Sequence, residues 1–180
     1  MNKAFFIDRD GVIVVETDYL GDPNHVEIIP GAVEAIKAIK TAGYLAIVVS
    51  NQSGVARGYY SESDVDLVNQ RIAEILAEQG ANIDAFYHCP HHPKFSGECS
   101  CRKPEPGMLL TAAKDHRIDP AKSYMIGDKI SDVNAGQNAG CAASVLIKTG
   151  HGIDEVTEDL VEITVADDFA AAVKLLLKEK

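Results

Sequence analysis

Asp8 and Asp10 close a short apolar run, Ala4-Phe5-Phe6-Ile7, in the stretch Asp8-Arg9-Asp10-Gly11. Carboxylates at i and i+2 leave an extended chain on the same side. Gly11 lets the chain turn directly after them. Two ionised carboxylates this close repel, and a hard divalent cation offsets the repulsion. Mg²⁺ suits the task, since it takes carboxylate oxygens together with a substrate phosphate. Two solvated aspartates in a turn would leave the same trace, because Asp and Gly are common turn residues.

Three further polar segments follow apolar runs or an irregular stretch. Ser50-Asn51-Gln52-Ser53-Gly54 follows Leu45–Val49. A hydroxyl and backbone N–H groups at a strand end can cradle an anion, although a polar turn reads the same way. Arg102-Lys103-Pro104 offers a lysine that could neutralise a phosphoryl group and a carboxylate, or a solvated charged pair. Gly127-Asp128-Lys129 follows Tyr124–Ile126, with Asp132 four positions beyond Asp128. Asp128 would complete an oxygen-rich metal site, with Asp132 orienting it from one helical turn away. The alternative is a helix cap.

The stretch from His88 to Pro106 lacks periodicity and contains Cys89, His91, Cys99 and Cys101 within 13 residues. Three thiols and an imidazole suit a tetrahedral zinc site, although the single-residue spacings are tighter than in common zinc fingers. His88 and His92 compete with His91 for the imidazole role, and free thiols are the bland reading. Cys141 stands apart, after Gly140, and reads as a small buried residue.

Elements must position these groups. Ala4–Ile7, Leu45–Val49, Ala85–His88, Tyr124–Ile126 and Ala143–Ile147 read as buried strands. Residues 32–40, 64–79, 107–116, 132–139 and 168–177 carry apolar residues at helical spacing. Ser61 with Asp64 resembles a capping box, and Gly43 and Gly80 sit where helices end. The alternation predicts an α/β fold, a doubly wound and mostly parallel sheet with helices on both faces. Such sheets bind ligands beyond the carboxyl ends of their strands, which is where the polar segments lie.

The chain has 180 residues, enough for about one domain with its own core. Its 27 acidic and 17 basic side chains give a formal charge of −10, which argues against a nucleic-acid partner held through phosphates. No apolar run approaches the ~20 residues of a membrane span. The N-terminal residues lack the long apolar stretch of a secretory signal, so a cytoplasmic location is expected. Four cysteines in a reducing compartment favour metal ligands or buried thiols over disulfides.

The order of these segments resembles the haloacid dehalogenase superfamily of phosphotransferases. Its four motifs match residues 5–12, Ser50, Lys103 and Gly127-Asp128. Asn51-Gln52-Ser53-Gly54-Val55-Ala56-Arg57-Gly58, Cys89-Pro90-His91-His92-Pro93, Cys101-Arg102-Lys103-Pro104 and Pro106-Gly107-Met108-Leu109-Leu110 are similar to the D-glycero-D-manno-heptose 1,7-bisphosphate 7-phosphatases. Histidinol-phosphate phosphatases share much of this pattern.

The resemblance implies Asp8 as nucleophile, Asp10 as general acid and base, and Ser50 and Lys103 as stabilisers of the transferring phosphoryl group. It implies catalytic Mg²⁺ on Asp8, Asp128 and the backbone carbonyl of Asp10. It implies structural Zn²⁺ on Cys89, His91, Cys99 and Cys101, in a loop over residues 88–104. Substrate contacts are expected from Glu16, Thr17, Asp18 and Tyr19, from Ser50, Asn51, Gln52 and Ser53, and from Arg102, Lys103 and Lys129. Arg57 is either a further contact or a surface charge.

Asp10 and Ser50 are separated by 39 residues, and Ser50 and Lys103 by 52. The elements above fill both intervals, so a single capless domain over residues 1–180 is expected, and a monomer. The sequence has Thr17-Asp18 where the family often has a Gly before Tyr19, and Ser50 where threonine is usual. These departures bear on the substrate and its anomer. A phosphate-accepting receiver domain is the reading from another class. It would place its aspartate after a middle strand and would lack the Cys/His loop.

Overall fold

A computed structural model describes residues 1–155 and 163–178. Six strands form one sheet: β1 (Ala4–Ile7), β2 (Leu45–Asn51), β3 (Ala85–Cys89), β4 (Tyr124–Gly127), β5 (Ala143–Ile147) and β6 (Thr164–Ala166). Their order is β3-β2-β1-β4-β5-β6, and each neighbouring pair runs parallel. The helices are α1 (Ala32–Thr41), α2 (Glu62–Glu78), α3 (Pro93–Ser96), α4 (Gly107–Asp115), α5 (Ile130–Asn138), α6 (Gly152–Glu155) and α7 (Phe169–Lys178).

Strand side chains alternate between the two faces, and the core divides accordingly. Phe5, Ile7, Ala46, Val48, Ile126 and Val145 pack under α1, α2 and α7. Ala4, Phe6, Ile47, Val49 and Met125 pack under α4 and α5. The sheet is therefore covered on both sides, as expected of strands that read as continuous apolar runs.

Local chemistry sets the helix ends. Ser61 Oγ accepts the Asp64 N–H at 3.3 Å, and the Ser61 N–H donates to Asp64 Oδ2 at 2.8 Å. The capping box thus forms with Asp in the place usually taken by Glu. Gly43 and Gly80, one residue past the C-caps of α1 and α2, adopt φ of +77° and +76°, a conformation that favours glycine.

β1 and β5 match the sequence expectation, and β2, β3 and β4 extend one or two residues further toward the polar segments. β6 was not foreseen, because three residues carry too short a pattern. The irregular 88–106 stretch contains α3, begun by His92, whose Nδ1 accepts the Lys94 N–H at 3.2 Å.

The strand order reverses beside β1, where β1 pairs with β2 on one side and β4 on the other. Loops diverge there and leave a crevice at the carboxyl ends. Asp8, Asn51 and Asp128 lie at or just beyond those ends.

Candidate active site

Lys103 is the hub of the site. Its Nζ donates to the Val49 carbonyl at 2.7 Å and contacts Asp8 Oδ1 at 2.8 Å and Asp132 Oδ1 at 2.6 Å. An ammonium has three protons, and each has an acceptor. The side chain is 1 % exposed. Burial alone would lower its pKa, but the attraction of Asp132 and Asp8 outweighs it and holds Lys103 above the ordinary lysine value. Asn51 fixes the backbone here. Its amide nitrogen donates to the Lys103 carbonyl, and its Oδ1 accepts the Lys103 N–H, both at 3.1 Å.

Asp8 Oδ1 also accepts the Arg9 N–H at 2.8 Å. Burial, then repulsion from Asp132, pushes the Asp8 carboxyl up to about 6 against the pull of Lys103. Asp128 is likewise pushed up to about 6, by burial and then by Asp8.

Asp128 is fully buried, and its two oxygens differ. Oδ2 accepts the His151 N–H at 2.8 Å and lies 3.3 Å from His151 Nδ1. Oδ1 has no hydrogen-bond partner among the described residues. An orphaned buried carboxylate oxygen is costly unless a ligand uses it. Asp8, Asp128 and Asp132 bring carboxylate oxygens within 4.8 Å of one another. Asp132 spends Oδ1 on Lys103 and Oδ2 on the Lys129 N–H at 3.0 Å. It therefore acts on Lys103 rather than as the orienting partner of Asp128. Asp8 and Asp128 remain, and their all-oxygen donor set fits Mg²⁺. Gly11 and Gly150 pack against Asp128 so closely that a Cβ on either would overlap its carboxylate.

The Asp10 carboxylate lies outside that trio and is held elsewhere. Arg9 Nε donates to both of its oxygens at 3.1 Å, and the Gln52 amide donates to Oδ2 at 2.8 Å. The same amide donates to Ser50 Oγ at 2.6 Å. Neither Arg9 nor Tyr60, which contacts Gln52, was singled out from the sequence.

A cavity of about 330 Å³ opens over these groups. Asp8, Asp10, Ser50, Lys103 and Asp132 line its floor. Of the expected substrate residues, Glu16, Asp18, Tyr19, Asn51, Gln52 and Ser53 line it. Arg102 and Lys129 also reach it. Thr17 does not; it lines a neighbouring hollow with Tyr59 and Asp64. Asn51 and Gln52 face the cavity with amides already bonded to protein groups. Burial, then repulsion from Asp10, pushes Glu16 up to about 7. Leu20, Tyr60, Ser131 and His151 complete the lining and went unnoticed, since nothing in their local sequence marks them.

The Cys89, Cys99 and Cys101 thiols form a second cluster. The sulfur separations are 3.6 Å for Cys89–Cys99, 2.8 Å for Cys89–Cys101 and 3.4 Å for Cys99–Cys101. Sulfurs around a tetrahedral zinc ion lie roughly 3.8 Å apart, so the cluster can take a metal of that kind. The His91 imidazole is not in this group; its carbonyl accepts from Arg102 at 3.2 Å. Cys141 stands apart, partly buried against the second core face.

A carboxylate pair after the first strand, a hydroxyl after the second, a buried lysine and an acid after the fourth define a phosphotransferase of the haloacid dehalogenase type. A HAD-hydrolase-like family model (Hydrolase_like) matches residues 100–172. The chain is 44% identical over 159 residues to the D-glycero-beta-D-manno-heptose-1,7-bisphosphate 7-phosphatase of Pasteurella multocida, covering 86% of each chain. It is 42% identical over 164 residues to the alpha-anomer enzyme of Photorhabdus laumondii, covering 88% of this chain and 90% of that one. The crystal structure of D,D-heptose 1,7-bisphosphate phosphatase from B. bronchiseptica, complexed with magnesium and phosphate, superposes with a TM-score of 0.89 at 32% identity over 99% of both chains. The chain belongs to the D-glycero-D-manno-heptose-1,7-bisphosphate 7-phosphatase family of that superfamily. No helix among the described residues is long and apolar enough to cross a membrane.

Proposed function

We propose that this protein hydrolyses the 7-phosphate of D-glycero-D-manno-heptose 1,7-bisphosphate through an aspartyl-phosphate on Asp8. The observation that carries the reading is the bond set of Asp8. Both contacts described for it, from the Arg9 N–H and Lys103 Nζ, fall on Oδ1. Oδ2 is the oxygen this leaves to attack phosphorus.

In the first half-reaction the Asp8 oxygen bonds to phosphorus and the bond from phosphorus to the sugar oxygen breaks. Asp10, protonated, gives that oxygen its proton and leaves as a carboxylate. In the second, water attacks the phosphorus, Asp10 takes the water's proton, and the bond to Asp8 breaks. Inorganic phosphate leaves and both carboxyl groups return to their starting states. Ser50 and Lys103 hold the phosphoryl oxygens, and Lys103 also keeps Asp8 ionised. Asp8, Asp128 and the Asp10 carbonyl would hold Mg²⁺, which would neutralise charge on the phosphoryl group and offset the repulsion between the two carboxylates.

Arg102, Lys129, Glu16, Asp18 and Tyr19 would bind the rest of the sugar bisphosphate. The planar guanidinium of Arg102 suits the second phosphate. We assign Zn²⁺ to Cys89, Cys99 and Cys101, where it would staple the loop that carries Arg102. His91 is assigned as fourth ligand on the family resemblance alone. The chain is read as a single capless domain. Three metal-type thiols suit a reducing, cytoplasmic setting. The chain is read as a monomer.

The test is phosphate release with Mg²⁺ from the α and β anomers, with histidinol phosphate in parallel. The reading predicts a large preference for one heptose anomer. Preference for histidinol phosphate would keep the chemistry and change the substrate. No release from any of them would overturn the reading.

A further inference from the structure

The Asp10 carboxylate accepts a long hydrogen bond from Ser50 Oγ, at 3.4 Å, and closer ones from Arg9 and Gln52, two side chains that the catalytic scheme does not use. Arg9 is 1 % exposed, an unusual depth for a guanidinium. Its Nε donates to both Asp10 oxygens at 3.1 Å, while its NH2 nitrogen lies 3.1 Å from Oδ1 as an ion-pair contact and makes no hydrogen bond among the described residues. At the other end of the fork, NH1 donates to Asn69 Oδ1 of α2 at 3.1 Å. The guanidinium is thus anchored in the fold, and its Nε proton, shared between the two Asp10 oxygens, holds the carboxylate facing it.

Gln52 also reaches the Asp10 carboxylate and is 2 % exposed. One amide proton reaches Asp10 Oδ2 at 2.8 Å, and the other reaches Ser50 Oγ at 2.6 Å. The amide oxygen accepts the Tyr60 hydroxyl at 2.7 Å. Both amide protons and one lone pair of the amide oxygen are thus used. A flipped amide would turn its oxygen toward a carboxylate, so the Tyr60 hydrogen bond selects the donor face. The Tyr60 ring is itself seated against two glycines. A Cβ on Gly21 or Gly54 would overlap the ring. Burial pushes the Tyr60 hydroxyl up to about 12, so it keeps its proton and remains a donor.

Asp10 must meet two different proton partners in turn, the leaving oxygen and then a water. A carboxylate free to rotate would meet them in the right direction only part of the time. We propose that Arg9 and Gln52 are positioning residues that hold the Asp10 carboxylate in line for proton transfer, with Tyr60 locking the Gln52 amide. This inference rests on the phosphatase reading and on Asp10 as the acid.

The test compares two esters. A sugar phosphate has an alkoxide leaving group that needs a proton. p-Nitrophenyl phosphate has a leaving group that departs without one. kcat/KM reports only steps up to the first irreversible one, so it isolates bond cleavage from the later hydrolysis of the phosphoryl-enzyme. Any loss of the Ser50 contact to the phosphoryl group would fall on both esters and cancel in the ratio; Ser50 also donates to Asp10 Oδ2 at 3.4 Å, and whatever passes through that contact belongs to the same positioning effect. Gln52→Met removes both amide protons and keeps the length of the side chain. Its kcat/KM ratio, heptose bisphosphate over p-nitrophenyl phosphate, is expected to fall by roughly 100-fold, the lower end of what a general acid contributes. Tyr60→Phe is expected to shift the ratio in the same direction by a few-fold.

Equal losses on both esters in Gln52→Met would overturn the positioning role. So would an unchanged ratio. A melting curve for each variant separates a folding defect from a kinetic one, and Arg9→Lys, which keeps the charge and loses the fork, gives a second reading of the same ratio. Parent protein inactive on both esters would sink the phosphatase reading itself. Active parent protein with an unshifted variant ratio would sink this inference alone.

Discussion

Lys103 Nζ lies 2.6 Å from Asp132 Oδ1, and both side chains are 1 % exposed. Asp132 is thereby a support for the lysine that contacts Asp8. It also explains Gly127, where a Cβ would overlap the Asp132 side chain. Lys103→Met would leave Asp8 and Asp132 buried without their cation. Breaking a buried pair from one side costs about 3 to 5 kcal/mol. Urea unfolding of metal-free protein should show a loss of that order alongside the loss of turnover. A variant as stable as the parent would mean that Lys103 matters only to catalysis.

Gly150 sets the room around Asp128. Its φ is +60°, and a Cβ would overlap Asp128 Oδ2 and lie 2.8 Å from Gly11 Cα. Gly150→Ala should displace the carboxylate that His151 holds. Disturbing a group that orients a metal ligand costs about 10 to 100-fold in metal affinity. Activity titrated with Mg²⁺ should need correspondingly more metal and should recover at saturation. An unchanged half-saturating concentration would remove Asp128 from the metal site.

The three clustered thiols predict a metal content. Cys99→Ser should lower bound zinc, measured by mass spectrometry of the purified protein, and should lower the melting temperature. Cys141→Ser, outside the cluster, should change neither the zinc content nor the loop. Full zinc content in Cys99→Ser would refute the assignment. His91→Ala tests the fourth ligand separately, since the imidazole is not among the grouped atoms.

Removal of Mg²⁺ should stop hydrolysis, and adding Mg²⁺ back should restore it. Asp128 Oδ1 is buried with no hydrogen-bond partner among the described residues, which leaves that oxygen for the metal. Turnover that persists in excess chelator would contradict the metal's role.

The sheet and the polar groups at its strand ends are legible because each is a local signal. An apolar run such as Ala4–Ile7 followed by Asp8 needs only its neighbours to be read. The helix boundaries fell within a few residues because Ser61, Gly43 and Gly80 act on the adjacent turn. The pairing of side chains was less legible, since it depends on residues far apart in sequence. Arg9 meets Asn69 across 60 positions, and Asp128 meets His151 across 23. Asp132 was noticed for its spacing from Asp128, yet its partner is Lys103. Asn51 and Gln52 line the cavity, but their amides are committed to Lys103, Asp10 and Ser50. The sequence order of polar residues says where a site is; which oxygen each proton meets is decided by packing.

The phosphatase chemistry turns on Asp8 as the carrier of the phosphoryl group. The direct measurement is rapid quenching of the protein during turnover of heptose bisphosphate labelled at the 7-phosphate, followed by borohydride reduction and peptide mass spectrometry. Reduction converts an aspartyl-phosphate to homoserine. The account predicts homoserine at position 8, label bound to protein at early times, and neither in Asp8→Asn. Steady phosphate release with no label on the protein, or label on another residue, would contradict it.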